Sequence, residues 1–387
     1  MKTTNSIASI LNAGSSDENA DNDTPPNTYR VYLGTTAEND RCGIYMATLD
    51  LHTGTLSSPI RVSQSARPGF IEIHPDGKYL YATDAGGNFS GNMTGAVSAY
   101  RIQEEDGSLI DLNTQSSGGA GPCHVSIGPR GKYLLVANYR GGSCAMLPIQ
   151  SNGSLAASSS LHKHSGSSIH PARQTEAHTH SIICDPLGHF ALTADLGLDQ
   201  ILIYRMDALA GHLTPSDPAF IQTPPGSGPR HLTFSPCGKF VYACMELNNT
   251  VIVYGYDVKR GTLEELQNLS TLPDDFKGEN TTSEILTSQD GRFLYVGNRG
   301  HNSIAIFKID PQTGLLSPDG YESTRGDHPR NFNIDPTGHF LLVANANSDN
   351  LVVFEIDPES GQLKFNGCEV NVPRATCIRF LAIPAEK

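Results

Sequence analysis

The sequence of 387 residues has no tryptophan, few basic side chains and no apolar run long enough to cross a bilayer. A membrane-spanning helix needs about 20 mostly apolar residues. Lys and Arg number 27 against 40 Asp and Glu, which gives a formal net charge of −13. That balance argues against binding to nucleic acid or to anionic membranes. The lack of tryptophan also disfavours a protein-binding platform, because such interfaces are enriched in aromatic anchors.

Two further absences concern the compartment. Residues 1–27 lack the basic start and apolar stretch of a secretory signal. They are polar and acidic, and we expect a flexible tail outside the fold. The eight cysteines include no C-x-x-C pair, and several stand inside apolar runs. They are therefore expected to be free thiols in a reducing compartment, without disulfides or zinc. We expect a cytoplasmic protein that is a monomer or weak oligomer, with no cofactor and no metal.

What the sequence does contain is one unit repeated six times. The copies are RPGFIEIHPDGKYLYATD, GPCHVSIGPRGKYLLVAN, AHTHSIICDPLGHFALTAD, GPRHLTFSPCGKFVYACM, TSEILTSQDGRFLYVGN and HPRNFNIDPTGHFLLVAN. Their turn glycines, Gly77, Gly131, Gly188, Gly238, Gly291 and Gly338, are spaced 47 to 57 residues apart. A repeat near 50 residues is typical of a β-propeller blade.

Each unit can be interpreted as four strands. An alternating strand such as 231–235 is followed by a tight turn, often Pro-x-Gly, whose glycine is free to adopt a positive φ. Apolar strands such as 240–244 and 250–257 come next, and Asp-x-x-x-Gly-x-Leu then leads into an outer strand. The pattern predicts four antiparallel strands in each blade.

The chain ends supply a seventh blade. Residues 373–381 match a first strand alone, whereas 29–34, 43–50 and 56–62 match a second, third and fourth strand. One C-terminal strand and three N-terminal strands would close the ring and leave no free edge between first and last blades. The sequence thus predicts an all-β, seven-bladed propeller as a single domain over residues 28–387.

The propeller geometry brings two sets of residues to one face of the disc. These are the residues that open each inner strand and those in the loop after each second strand. The chemically active members are His124, His178, His180, Arg230, His231, Glu284 and Arg330 in the first set, and Tyr139, Arg140, Asp195, Glu246 and Arg299 in the second. The opposite turns read DGK, RGK, LGH, CGK, DGR and TGH, a solvated rim with little chemical variety. We place the site on the first face.

These repeats resemble the seven-bladed lactonase family over residues 28–383. The resemblance is carried by GPRHLTFSPCGKFVYACMELNNTVIVYGYD, RQTEAHTHSIICDPLGHFALTADLGLDQ, SEILTSQDGRFLYVGNRGHNSIAIF and HPRNFNIDPTGHFLLVANANSDNLVVFEID. That family includes propeller-type bacterial 6-phosphogluconolactonases and fungal carboxy-cis,cis-muconate cyclases. The resemblance implies lactone ring opening, or its reverse, at the channel mouth. It also implies functional roles for His178, His180, Arg230, Glu246 and Arg299.

Lactone hydrolysis needs a base for water, a donor for the oxyanion and a proton for the leaving oxygen. We expect His178 or His180, assisted by Glu246, to activate water while Arg230 stabilises the oxyanion. An anionic substituent would be held by bidentate arginine contacts. The predicted substrate-binding residues are Arg299, Arg330, His124, Arg173 and Asp195. The expected enzyme is a carboxylic ester hydrolase that converts 6-phospho-D-glucono-1,5-lactone to 6-phosphogluconate.

Several alternatives stay open at this point. The chain could be a muconate cycloisomerase-type lactonising enzyme or a non-catalytic binding platform. His178 and His180 could present a metal pair completed by His124 or Asp195. Arg230 and Glu246 could form a structural ion pair.

One segment, residues 151–176, interrupts the repeat. It is long, rich in serine and leads into His178. A long loop in a compact domain is usually functional or disordered. We interpret its end, around Arg173, as a flap over the site, and its serine-rich part, with His162 and His164, as solvated.

Overall fold

A computed structural model describes residues 27–85 and 94–383 of the chain. Within these ranges the one helical element is a short 3-10 turn, Asn39–Arg41. The N-terminal segment forms β1 (Thr28–Thr35), β2 (Ile44–Asp50), β3 (Thr55–Leu56) and β4 (Ile60–Ser63). The first three repeats form β5 (Ile71–Ile73), β6 (Tyr79–Asp84), β7 (Ala96–Ile102), β8 (Leu109–Ser116), β9 (Pro122–Ile127), β10 (Tyr133–Asn138), β11 (Ser143–Pro148), β12 (Ser160–Lys163), β13 (Thr179–Cys184), β14 (Phe190–Asp195), β15 (Gln200–Asp207) and β16 (His212–Gln222). The last three form β17 (Pro229–Phe234), β18 (Phe240–Met245), β19 (Thr250–Asp257), β20 (Thr262–Ser270), β21 (Thr281–Thr287), β22 (Phe293–Arg299), β23 (Ser303–Ile309), β24 (Leu316–Ser323), β25 (Pro329–Ile334), β26 (Phe340–Asn345), β27 (Asn350–Ile356) and β28 (Leu363–Asn371), and β29 (Ala375–Ala382) ends the fold.

Each repeat forms one antiparallel four-stranded sheet, and the seven sheets form a ring. Blades 1 to 6 are β5–β8, β9–β12, β13–β16, β17–β20, β21–β24 and β25–β28, and blade 7 joins β29 to β1, β2, β3 and β4. The inner strand of each blade contacts the inner strand of the next, and β29 contacts β5 to close the ring. The predicted seven-bladed propeller is confirmed, including its closure by one C-terminal and three N-terminal strands. The outer strand of blade 7 is split between β3 and β4, which both pair with β2.

The turns between first and second strands depend on glycine. Gly238 has a φ of 67°, and its N–H donates to the carbonyl of Ser235 at 2.8 Å. An L-residue with a side chain adopts this left-handed conformation at a cost. All six turn glycines identified in the repeats have φ between 65° and 77°.

Neighbouring blades are joined by apolar packing and by a recurring tyrosine bond. Second-strand side chains such as Val241 and Val296 are fully buried between sheets. Three buried tyrosines of second strands, Tyr81, Tyr242 and Tyr295, donate their hydroxyls to glycine carbonyls in the outer turn of the next blade, at 2.9 to 3.1 Å. Because buried hydroxyls are costly without a partner, this bond fixes the spacing between blades.

The structure corrects the interpretation of the serine-rich segment. Residues Ser160–Lys163 form β12, the outer strand of blade 2, so this part continues the repeat. His164 is buried, and its Nδ1 lies 2.7 Å from a carboxylate oxygen of Asp195. The prediction that His164 is solvated is therefore wrong. The Nε2 of His162 lies 2.9 Å from the carbonyl oxygen of Leu213, and this ring is half-buried.

The predicted domain limits are not tested. Residues 1–26 of the predicted tail lie outside the described residues, so the division into a tail (1–27) and a propeller (28–387) stays a prediction. Among the described residues, no helix has the length and apolar character needed to cross a membrane.

Candidate active site

A cavity of about 460 Å³ opens on the axis of the ring at the predicted face. Its walls come from the starts of inner strands and the loops after second strands, as the repeat geometry predicted. The chemically active side chains among its lining are Arg67, Cys123, Tyr139, Arg140, Arg173, His180, Arg230, His231, Glu246, Arg299, His328 and Arg330.

A β-bulge at the start of the inner strand places one residue of each of five blades in this cavity. In blade 4, Pro229 pairs with Met245 and His231 with Cys244, so Arg230 is the extra residue of β17. The same register shift occurs in four other inner strands. Their extra residues are Cys123, His180, Arg330 and Thr376. All five line the cavity. A bulge redirects a side chain out of the normal alternation of a strand, so the repeat itself builds a ring of functional positions.

The charge of the cavity is opposite to that of the whole chain. Its described lining contains a single carboxylate, Glu246, and six arginines: Arg67, Arg140, Arg173, Arg230, Arg299 and Arg330. The formal net charge of the protein is −13. A concave site lined by one sign of charge concentrates ligands of the other sign. The cavity therefore favours an anionic ligand.

Glu246 is the centre of the arginine cluster. It directly follows β18 and is buried. Its Oε1 accepts from Arg173 Nη2 at 2.6 Å, and its Oε2 accepts from Arg230 Nε at 3.0 Å and lies 3.1 Å from Arg299 Nη2. Burial raises the pKa of Glu246, but Arg299, Arg230 and Arg173 outweigh it and lower the pKa to about 2. The side chain is thus a permanent carboxylate that orients guanidinium groups.

The pKa of Arg299 is lowered, although its pairing with Glu246 would by itself raise it. Burial is its largest cause, and together with repulsion by Arg230 and Arg330 it lowers the Arg299 pKa to about 10 in spite of the carboxylate. One carboxylate therefore does not neutralise the cations around it. The Nε of Arg299 is buried with no hydrogen-bond partner among the described residues.

His180 is the histidine of His-x-His that reaches the cavity. Its Nε2 lies 3.8 Å from Glu246 Oε2, and its Nδ1 is buried without a hydrogen-bond partner in the described chain. Burial and then Arg230 lower its pKa well below the usual value for histidine. A neutral ring at pH 7 can accept a proton, as a general base must.

His178 and Asp195 are held behind the wall of the cavity. The ring of His178 stacks on Tyr139 with centroids 4.5 Å apart, and its Nδ1 lies 3.0 Å from the Tyr139 carbonyl oxygen. Asp195 is fully buried and accepts from the backbone N–H of His178 at 2.8 Å. Neither lines the cavity. The bulge at His180 explains the separation, because it interrupts the two-residue alternation that would have put both histidines on one side.

His124 lies below the cavity rather than in its lining. Its ring packs on Phe70, with centroids 4.4 Å apart, and on His231, at 5.2 Å. Within the ranges that the structure describes, no group of three His, Cys, Asp or Glu side chains is arranged to hold a metal ion. Neither His124 nor Asp195 is thus placed to act as a third metal ligand beside His178 and His180.

Arg330 and Arg173 both present guanidinium groups to the cavity, but they differ in burial and in hydrogen-bond partners. Arg330 is half-buried and makes no hydrogen bond or ion pair with any residue in the described ranges. Burial and then Arg230 lower its pKa. Arg173 is more exposed and donates to both Glu246 and Tyr139. Arg330 therefore has its donors available for a ligand, whereas Arg173 is already engaged.

The lining also contains a histidine and an arginine that the sequence analysis did not single out. His328 precedes Pro329-Arg330, and burial followed by Arg299 lowers its pKa to about 4. Arg67 stands at the rim, before the Pro68-Gly69 that opens the first repeat. Both precede the proline at the start of an inner strand, and aligning the repeats at that proline would have revealed them.

Comparisons with known proteins agree with this geometry. The family model described as "Lactonase, 7-bladed beta-propeller" matches residues 30–380. The 6-phosphogluconolactonase of Bacillus subtilis is 37% identical over 353 residues, which cover 91% of this chain and 98% of that protein. Two solved structures are also similar. The periplasmic gluconolactonase PpgL of Pseudomonas aeruginosa has a TM-score of 0.86 and 36% identity, covering 92% of this chain and 100% of the other. A putative 6-phosphogluconolactonase of Bacteroides fragilis has a TM-score of 0.85 and 34% identity, covering 93% and 100%.

The match spans every blade of the ring, and the two solved structures share both the fold and more than a third of their residues with this chain. The chain belongs to the seven-bladed β-propeller lactonase family.

Proposed function

We propose that this protein hydrolyses 6-phospho-D-glucono-1,5-lactone to 6-phosphogluconate. The observation that carries the proposal is the cavity, whose described lining contains six arginines and one carboxylate and in which Arg330 has no partner among the described residues. A phosphate binds guanidinium groups through paired, charge-assisted hydrogen bonds. The relatives named as 6-phosphogluconolactonases agree with this substrate.

His180 is the proposed base. Its Nε2 is close enough to Glu246 Oε2, at 3.8 Å, for the two to share one water molecule. His180 Nε2 takes a proton from that water as the oxygen bonds to the lactone carbonyl carbon. The ring C–O bond then breaks, and the same proton passes from His180 to the departing ring oxygen. One water is consumed and one carboxylic acid is formed, which ionises at neutral pH.

Arg230 is the proposed oxyanion donor. Its Nε bonds Glu246 and its Nη1 bonds the carbonyl of Ser283, which fixes the plane of the guanidinium. Its Nη2 makes no hydrogen bond with the described residues and is free to donate to the negative oxygen of the tetrahedral intermediate. A donor that is held in place before the reaction stabilises developing charge without a cost of reorganisation.

The phosphate of the substrate would also raise the pKa of His180. In the free protein, burial is the largest cause that lowers the pKa of His180, and Arg230, Arg330 and Arg299 lower it further. A phosphate bound at Arg330 compensates part of that positive charge and raises the pKa of His180 toward neutrality. Substrate binding thus prepares the base, and a neutral lactone does so less well.

The test compares hydrolysis of freshly prepared 6-phosphoglucono-1,5-lactone with that of glucono-1,5-lactone, after subtraction of spontaneous hydrolysis. We expect kcat/KM to be higher for the phosphorylated lactone. A muconolactone belongs in the same assay, because its carboxylates would meet the same arginines. Acceleration of neither sugar lactone would overturn the proposal.

For the compartment we propose the cytoplasm. All eight cysteines are free thiols in the structure, and three of them are buried. Free thiols persist in reducing compartments. The periplasmic relative shows that this fold also functions outside the cytoplasm, so fractionation of cells is the direct test.

A further inference from the structure

The residues that follow the bulged positions form a second ring around the axis, and one of them, His231, also lines the cavity. His231 follows Arg230 and Asn331 follows Arg330, and Glu284 stands beside them on β21. His231 Nδ1 lies 2.7 Å from Glu284 Oε1, and Asn331 Nδ2 donates to Glu284 Oε2. All three side chains are buried. The chain of contacts runs across blades 4, 5 and 6.

The contacts of Glu284 determine where His231 carries its hydrogen. Asn331 Oδ1 accepts from the N–H of Ile378 at 2.9 Å, which turns its amide NH₂ toward Glu284. The N–H of Ile285 also donates to Glu284 Oε1, at 3.1 Å. Burial raises the pKa of Glu284, but His231 and Arg230 outweigh it, so the pKa is lowered and the group is a carboxylate. A carboxylate can only accept, so His231 must donate to it from Nδ1.

His231 is therefore left with a lone pair on Nε2. Burial is the largest effect on its pKa, which is lowered, so the ring is neutral at pH 7 and has only one N–H. Its Nε2 is buried and finds no hydrogen-bond partner among the described residues. This nitrogen is an acceptor that requires a donor.

The neighbouring ring of His180 also has a buried nitrogen, Nδ1, without a hydrogen-bond partner among the described residues. The centroids of the two imidazoles lie 5.2 Å apart at an interplanar angle of 64°. His180 Nδ1 is also buried without a partner in the described chain, whereas its Nε2 faces Glu246 at 3.8 Å. The neutral His180 ring needs an acceptor or a donor at Nδ1, and the adjacent His231 ring offers an acceptor, its Nε2.

We propose that His231, oriented by Glu284, is a positioning residue that holds the hydrogen of His180 on Nδ1 and so leaves His180 Nε2 unprotonated at the cavity. The two nitrogens make no direct hydrogen bond in the structure, so the link passes through one water, which donates to His231 Nε2 and accepts from His180 Nδ1. The catalytic meaning of this assignment rests on the proposed hydrolysis, in which His180 Nε2 takes the proton of water. When it does so, the imidazolium keeps its Nδ1–H toward His231, and Glu284 supplies a negative charge behind it. This is the arrangement by which a carboxylate raises the basicity of a histidine through a hydrogen bond.

Other groups surround these rings. Burial is the largest effect that disfavours a positive charge on His180, and Arg230, Arg330 and Arg299, which line the cavity, add to it. His124 packs against His231 from blade 2, and its Nδ1 accepts from the N–H of Ile182 at 3.5 Å, so its hydrogen is on Nε2. His124 is thus the competing donor to His231. If His124 filled that role, His180 would be free to carry its hydrogen on Nε2, so the tautomer of His180 distinguishes the two arrangements.

The first test reads the tautomer directly by NMR. The full chain is labelled with ¹⁵N at its histidines, and the His180 signals are assigned by their loss in His180→Gln. We expect a protonated Nδ1 and an unprotonated Nε2 at pH 7. In Glu284→Gln the amide can donate to His231, which then carries its hydrogen on Nε2 and donates to the water instead of accepting from it. The water then donates to His180 Nδ1, so the His180 tautomer should change.

The matched control is Glu72→Gln. Glu72 is another carboxylate of the channel wall, on β5, but it pairs with Arg379 at 3.0 Å and is hydrogen-bonded to no histidine in the described ranges. We expect its spectrum at His180 to match the wild type. A wild-type His180 that carries its hydrogen on Nε2 overturns the proposal, even if Glu284→Gln does not fold. An identical change in both Gln variants overturns it as well.

The second test is kinetic. With 6-phosphoglucono-1,5-lactone, Glu284→Gln should lower kcat at least tenfold and change KM less than twofold, because the bound phosphate is not touched. Glu284→Asp, which keeps the charge, should recover part of kcat. Equal losses in the Asp and Gln variants would contradict the role of the charge. If the wild type accelerates no lactone, the proposed function fails, whereas the NMR result still decides whether His231 positions His180.

Discussion

Replacing Glu246 with Gln tests whether one carboxylate holds the arginine cluster together. Glu246 is buried and contacts Arg173, Arg230 and Arg299 at 2.6, 3.0 and 3.1 Å. The amide keeps the size of the side chain but removes its charge. Arg230 and Arg299 would then be buried beside each other without a counter-charge, and removing one partner of a buried ion pair typically costs about 3–5 kcal/mol.

The pKa of Glu246 gives a second measure of the same interaction. Its value is about 2 in the folded protein, against 4.5 for the ordinary group. At about 1.4 kcal/mol for each pKa unit, the ionised form contributes about 3 kcal/mol to the free energy of unfolding. Because the folded pKa is the lower one, this contribution is complete above pH 4.5 and is lost as the pH falls toward 2. The difference in stability between wild type and Glu246→Gln should therefore shrink over that range.

Urea unfolding at pH 7, 4.5 and 3 measures this difference. Asp290→Asn is the matched control, because Asp290 pairs with Arg292 at 2.6 Å but both side chains are about half exposed. Exposed pairs contribute about 0–1 kcal/mol. The reasoning is refuted if the Glu246→Gln variant is as stable as the control at pH 7, or if its deficit is the same at all three pH values.

Four further predictions concern the substrate site and the fold. Arg330→Gln should raise KM for the phosphorylated lactone about 10- to 100-fold, since a hydrogen bond to a charged group contributes about 1.5–3 kcal/mol; steady-state kinetics should show less than a threefold change for glucono-1,5-lactone, and equal changes for both would contradict phosphate binding at Arg330. His180→Gln should lower kcat about 100-fold or more, the usual contribution of an acid–base group, whereas His178→Gln should cost less than tenfold because its ring lies behind the cavity wall; the reverse order would contradict the assignment of the base. Gly238→Ala should destabilise the fold by about 1–2 kcal/mol in urea unfolding, because alanine is strained at a φ of 67°; an unchanged midpoint would mean that the turn relaxes. Tyr295→Phe removes the bond to the Gly361 carbonyl at 2.9 Å and should cost about 1 kcal/mol, with no change in KM as the check that only blade packing is affected.

The fold could be predicted from the sequence because each blade repeats the same local signals. A turn glycine such as Gly238 and the apolar second strand after it have the same physical cause in every repeat. The outer strand β12 was missed because Ser160–Lys163 contains one apolar residue, and its strand character comes from pairing with β11. The burial of His164 was missed for a related reason, since its partner Asp195 is 31 residues away in sequence.

The candidate site could be predicted by position but not by orientation. The repeat indicates which residues open the inner strands, and His180, Arg230 and Arg330 are all found in the cavity. Alternation along a regular strand would also have put His178 there. The bulge that separates the two histidines depends on how β13 pairs with β14, and no local sequence motif predicts it.

The bulges explain how a symmetric ring forms an asymmetric site. The same backbone position is Cys123 in blade 2, His180 in blade 3, Arg230 in blade 4, Arg330 in blade 6 and Thr376 in blade 7. Among the six arginines of the described lining, Arg230 and Arg299 are buried and Arg330 has no partner in the described ranges, and these three belong to blades 4, 5 and 6. The proposed base, His180, stands on blade 3, beside these three arginines. An anionic lactone should bind with its phosphate toward Arg330 on blade 6 and its carbonyl between blades 3 and 4, because that orientation brings the reacting carbon to His180 and Arg230 together.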